Sequence, residues 1–200
     1  MNTALLGCAA FFFYGFAAIF LGLRLQRQTQ GGLLAGQVPA IAGFIAHTGL
    51  IVYMFMGGVS FAFFNSLALF AWIITGLLML SAVRWPLVSL GILVYPIAGI
   101  CALLSGLTAG SAQAGSTHLS LALQLHIISS VFAYSMLSLA GLQAIILAVQ
   151  DHQLHHHKPG GFVRSLPPLQ AMERLMFRII GIGFILLSLA LVSGFVVVDQ

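Results

Sequence analysis

From Leu119 to Gln150 the chain carries no Asp, Glu, Lys or Arg, yet His126, Ser130, Tyr134 and Ser138 recur through it at steps of four. A run of this length and character crosses the roughly 30 Å hydrocarbon layer of a membrane as a helix. Steps of four keep residues near one face of that helix, drifting slowly around it. A polar stripe on so apolar a helix is expected to look inward, towards other helices or something they hold. The rest of the chain follows the same regime. Charged residues make up 5% of the 200, against 60% hydrophobic, where a soluble domain carries about 25% charge. The expectation is an all-α, polytopic membrane protein forming a single transmembrane domain over 1–200, with the lipid bilayer as its main partner.

Six spans are expected, over about 4–23, 38–56, 61–82, 87–107, 119–149 and 179–198, with an amphipathic lead-in over 168–178. The first run has no Lys or Arg before it and has Arg24 and Arg27 after it. A cleaved signal peptide has the opposite order, so this reads as a retained helix. Pro39 stands where the second helix should begin, because a helix's first turn does not need its missing N–H. Pro96 inside the fourth predicts a kink near Tyr95. Thr108–Thr117 reads as a plain loop, and so does Asp151–Leu166. In the last helix Glu173, Arg174 and Arg178 mix with Leu and Met before the apolar stretch begins, the pattern of an interfacial start.

Charge sets the orientation. All seven basic residues, Arg24, Arg27, Arg84, Lys158, Arg164, Arg174 and Arg178, fall on one side of a six-span layout. That side is cytoplasmic by the positive-inside rule, which places both termini outside (N-out/C-out). The basic excess is thus a topology signal and not a nucleic-acid surface. Cys8 and Cys101 lie in separate apolar runs, and neither CxxC nor CxxCH occurs. Both read as small buried hydrophobes, without thiol exchange or covalent haem attachment.

Two histidines fall inside the spans. His47 lies roughly 15 Å and His126 about 10 Å below the outer ends of their helices, at 1.5 Å per residue. Three uses stand open for neutral imidazoles at nearly one depth: a hydrogen bond to a neighbouring helix, axial ligation of a haem iron in an apolar cavity, or a proton or ion path. The absence of acidic and basic residues from the membrane core counts against the third. His47 is alone on its helix, so the chain offers at most one intramembrane bis-histidine site and not a two-haem wire. His118 reads as a solvated loop end and the His152, His155, His156 and His157 group as a solvated basic tract. Met54 and Met56 read as packing residues. No Walker loop, GxSxG or HExxH motif is present, and no enzyme activity is expected.

The segments AHTGL around His47, LHIISSVFAYSMLSLAGLQAIILAVQDHQL around His126, and LPPLQAMERLMFRIIGIGFILLSLALVSGF from Leu166 to Phe195 resemble helices of the cytochrome c assembly membrane protein family (CcsA/ResC/CcmC type). The resemblance is strongest to its smaller HemX-like and YpjD-like inner membrane branch. It implies a multi-pass protein of the cell (inner) membrane that binds haem b or helps move it outward, working with other cytochrome c maturation proteins. It also maps haem ligation onto His47 and His126, with Ser130 and Tyr134 lining the site or hydrogen-bonding a ligand. The family's tryptophan-rich external motif is missing, Trp72 and Trp85 being the only tryptophans. Family members also continue past the equivalent of Gln200, so a shortened member or a piece of a longer one is expected. Topology reporters fused after Arg27 or Lys158 should read cytoplasmic, and one fused at Gly110 should read external; the reverse pattern would refute the orientation.

Overall fold

The computed structural model describes residues 2–26, 33–56, 62–84, 90–112, 120–155 and 168–198. They form six helices: α1 (Thr3–Gln26), α2 (Leu33–Met56), α3 (Phe63–Arg84), α4 (Gly91–Ala112), α5 (Leu121–His155) and α6 (Leu169–Val198). All six are long and apolar enough to cross a membrane, and no strand occurs among the described residues. In hydrocarbon a helix satisfies its own backbone, which is why runs this apolar take no other form. Large side chains such as Phe12, Phe16, Ile45, Phe184 and Phe195 are exposed on the outer faces, as lipid contact requires.

Several helices outrun the apolar segments. α2 starts at Leu33, so Pro39 lies inside it rather than at its first turn. Inside the helix the proline forfeits the bond its N–H would have made one turn back, and its ring crowds the carbonyl there. α4 runs on to Ala112, and α5 includes Asp151–His155, both into stretches expected as loops. The rim of a bilayer supplies water to helix ends, so polarity alone does not stop a helix there. Chemical caps do mark two starts. The Leu123 N–H donates to Ser120 Oγ (3.3 Å) at α5, an N-cap contact. At α6 the Pro168 carbonyl accepts from Ala171 and Met172.

Side-by-side contacts establish the alternation of the spans. Gly7, early in α1, lies against Ala102 and Gly106, late in α4. Asn65, early in α3, accepts from Ser105 Oγ late in α4 (3.0 Å). His126, early in α5, meets Ser193 late in α6. Arg24 and Arg84 therefore end their helices on the side where Arg174 and Arg178 begin α6. Helices α1, α2, α3 and α4 form one packed group; α5 joins it through α3, and α6 packs chiefly on α5.

The closest approach is between α1 and α4. A Cβ on Gly7 would stand 2.7 Å from the Ala102 carbonyl oxygen, and one on Gly106 would stand 2.7 Å from that of Thr3. Apolar burial does not drive helices together in lipid, so small residues that let backbones touch become the main adhesive. Ala10, Ala17, Ala98 and Ala102 extend that seam and are almost fully buried. Substituting Gly106→Leu should separate the pair and cost about 1–3 kcal/mol or more, read by reversible unfolding in detergent. Gly15→Leu, where nothing lies within 4 Å, should be close to neutral.

Candidate functional site

The two intramembrane histidines occupy different surroundings. His126 is half-buried on α5, about 8 Å below its start, and Ser193 is about 8 Å below the end of α6, at 1.5 Å per residue. Antiparallel packing brings them level. The imidazole Nδ1 lies 2.9 Å from Ser193 Oγ, while Ser193 Oγ donates to the Ala190 carbonyl at 2.8 Å. The ring rests on Gly194, where a Cβ would stand 3.0 Å from His126 Cε1. Among the described residues Nε2 makes no hydrogen bond.

His47 is fully buried in α2. The Tyr14 ring meets it edge-on, with centroids 6.0 Å apart, and Tyr14 in turn stacks on Tyr95 at 5.7 Å. The carbonyl of Ala68 faces the His47 ring without closing a hydrogen bond, and neither ring nitrogen has a partner. The Tyr14 and Tyr95 hydroxyls also go without one. Thr75 stands beside the Tyr14 hydroxyl, but gives its own hydrogen to the Ala71 carbonyl (2.8 Å). His47 thus caps a column of polar aromatics in the core of the first four helices.

α2 and α5 each pack on α3. Ile51 of α2 and Val131 of α5 pack into one cluster around Ala68, Leu69 and Ile73 of α3. The nearly equal depth expected of the two histidines is not met. Ser135 of α5 reaches the Phe70 carbonyl while the Ala68 carbonyl faces His47. His126 therefore stands about 10 Å nearer the outer end than His47, at 1.5 Å per residue, and each faces its own set of neighbours. The stripe of four also divides. Ser130 Oγ donates to the His126 carbonyl (2.8 Å) and Ser129 does the same (3.0 Å), so neither addresses the imidazole. Tyr134 is 55% exposed. The inward face of α5 is instead Ala133, Ser135, Met136, Leu139, Ala140, Gln143, Ile146 and Gln150. Gln143 is fully buried and donates to the Met172 carbonyl at 2.8 Å, a second pin between α5 and α6.

An apolar crevice of about 260 Å³ opens between α3, α4 and α5, bordered by Phe70, Ile74, Ile97, Cys101, Ser138 and Leu142 among others. It is smaller than the roughly 300–1,000 Å³ usual for small-molecule sites, and neither histidine borders it. Among the described residues no three His, Cys, Asp or Glu side chains converge. A bare ion therefore finds no ligand set there, whereas a porphyrin iron needs only one or two protein donors. His152 and His155 are exposed at the end of α5, His155 facing Asp151 at 3.4 Å. His118, His156 and His157 lie outside the described residues.

The sequence profile of the family described as "Cytochrome C assembly protein" matches residues 35–199. The chain belongs to that family. Among curated proteins it is similar to the inner membrane protein YpjD of Escherichia coli K12, at 45% identity over 69 residues, 34% of this chain and 26% of YpjD. It is also similar, at 29% identity over 75 residues, to a 28.8 kDa protein from the nifR3-like 5′ region of Azospirillum brasilense, covering 38% of this chain and 28% of that one. The matched stretch thus spans about a quarter of either relative. No solved structure matches. With six spans, a cytochrome c assembly profile and an inner membrane relative, the chain is a multi-pass membrane protein of this family.

The family is haem-related, and the donor set at His126 fits an iron ligand: an imidazole anchored at one nitrogen with the other disengaged, which is how ligating histidines are held. The crevice is too small to seat the porphyrin. Sequence reasoning passed over Ser193, Gly194, Tyr14 and Tyr95. Ser193 becomes visible only when α5 and α6 are paired in register, though a Ser-Gly pair in the outer part of the last span was a usable signal. A buried hydroxyl with no partner costs about 1–3 kcal/mol. Tyr95→Phe should therefore leave the unfolding midpoint unchanged or raise it; a clear loss of stability would contradict the unpaired hydroxyl.

Proposed function

We propose that the chain is a haem-handling membrane protein that supports cytochrome c assembly without itself catalysing a reaction, and that His126 is the axial ligand for haem b in the outer half of the membrane. The observation that carries this is the half-buried His126 ring, held at Nδ1 by the neighbouring helix and disengaged at Nε2. Neutral imidazole in apolar surroundings is a usual axial ligand of haem iron. The cytochrome c assembly profile supports the same chemistry. Tyr134, exposed two turns further along α5, is available to flank the bound group. Ser130 acts through the backbone under His126.

His47 is the second candidate ligand. Its unpaired nitrogens suit it, while the Tyr14 ring and the Ala68 backbone close over it. Bis-imidazole ligation with His126 then requires α2 and α5 to rearrange around α3. Haem and other cytochrome c maturation proteins are the partners this reading implies.

A second reading has support from the His126–Ser193 bond itself: the histidine serves only to pin α5 to α6 in a haem-free scaffold or small-solute carrier. The two separate experimentally. On the haem reading, purified protein titrated with haemin develops a Soret band that shifts on reduction and is lost in His126→Ala and in His126→Gln. If His47 ligates as well, a low-spin spectrum turns high-spin in His47→Ala. Protein that stays colourless after haemin is added, with His126→Gln fully functional, would leave the scaffold reading standing.

A further inference from the structure

Ser193 has two polar neighbours and one hydrogen. Its Oγ is 2.8 Å from the Ala190 carbonyl oxygen and 2.9 Å from His126 Nδ1. Two oxygens 2.8 Å apart need a hydrogen between them and a carbonyl has none to give, so the serine hydrogen goes to Ala190. What faces His126 is then a serine lone pair, and a lone pair at 2.9 Å from a ring nitrogen needs that nitrogen to be the donor. We infer that Ser193 is a positioning residue that fixes neutral His126 as the Nδ1–H tautomer and so leaves the Nε2 lone pair as its open coordination point.

Three further features act in the same direction. Ala190 is buried at 2% exposure, so water does not compete for its carbonyl, and the serine hydrogen stays committed. Gly194 lets the imidazole lie flush on α6: its hypothetical Cβ would stand 3.0 Å from Cε1 and 3.7 Å from each ring nitrogen. A methyl group there would press the ring by a few tenths of an ångström. On the α5 side, Ser129 and Ser130 both donate to the His126 carbonyl. Their hydrogens are thereby directed to the backbone and away from Nε2. His126 is therefore oriented from α6 through its side chain and supported by α5 hydroxyls beneath it. His47 has no equivalent: the Ala68 carbonyl faces its ring, but neither nitrogen closes a hydrogen bond. The two intramembrane histidines thus differ in preparation for an incoming electrophilic metal centre, and Ser193 is the residue that makes the difference.

The assignment rests on the haem reading for the identity of the group that Nε2 receives, but the tautomer stands independently of it. The test uses full-length protein in lipid nanodiscs with ¹⁵N-labelled histidine and no haem added, the His126 signals being identified by their loss in His126→Gln. The wild type should show the protonated nitrogen at Nδ1 and the lone-pair nitrogen at Nε2. Ser193→Ala should lose that selection, and Ser193→Thr, which keeps a hydroxyl, should retain it. Haemin titrated into the same three proteins should bind Ser193→Ala about 10–100-fold more weakly than wild type, the usual cost of removing a partner that orients a metal ligand, with Ser193→Thr close to wild type. Nε2–H in the wild type, or an Nδ1–H form indifferent to Ser193→Ala, would overturn the inference. A wild type that shows the Nδ1–H form and binds no haemin would overturn the haem reading while upholding the role of Ser193.

Discussion

Hydrocarbon offers no hydrogen-bond partner, so polar groups at depth in this chain depend on what neighbouring helices supply. That constraint explains where the helices touch. Ser105 reaches Asn65 between α4 and α3, Trp72 Nε1 donates to Thr48 between α3 and α2 (2.8 Å), and Gln143 reaches the α6 backbone from α5. Where no polar pair is available, glycine does the equivalent work by letting backbones meet, as at Gly7 and Gly106. Remaining hydroxyls such as Thr75, Ser81, Thr108 and Ser188 turn back on the preceding turn of their own helix, which keeps them satisfied.

Against that background the groups left without partners are informative. Tyr14, His47 and Tyr95 form a column through the core of the first four helices with unpaired polar ends. His126 is held at one end only, from α6. The first arrangement is enclosed and leaves its histidine undirected; the second is accessible and directed. Under the proposed haem-handling role a ligand must be reached and released, and the α5–α6 pair suits that better than the closed core.

The spans were legible because their signal is coarse: long stretches without charge, basic residues gathered at alternate ends, and prolines near boundaries. Helix limits were less so. Pro39 was expected to open α2 and Asp151 to end α5, yet both lie within helices, because water at the membrane rim tolerates a polar last turn. The step-of-four stripe identified His126, but its companions do not share one inward face. Steps of four drift around a helix, so Tyr134 has rotated towards the outside, while Ser130 answers to its own backbone. Ser193 lies 67 positions from its partner, and no local pattern in the chain couples them; only the register of two packed helices does. Recognition of the family rested on longer segments, whereas the pairing of Ser193 with His126 came from geometry alone.

The account turns on which atom of this chain meets the iron. A density map of the haemin-loaded protein in nanodiscs answers that most directly. The prediction is iron bonded to Nε2 of His126, with Nδ1 still on Ser193 and Ser193 still on the Ala190 carbonyl. Iron bonded to Nδ1, or haem seated away from His126 altogether, would contradict it.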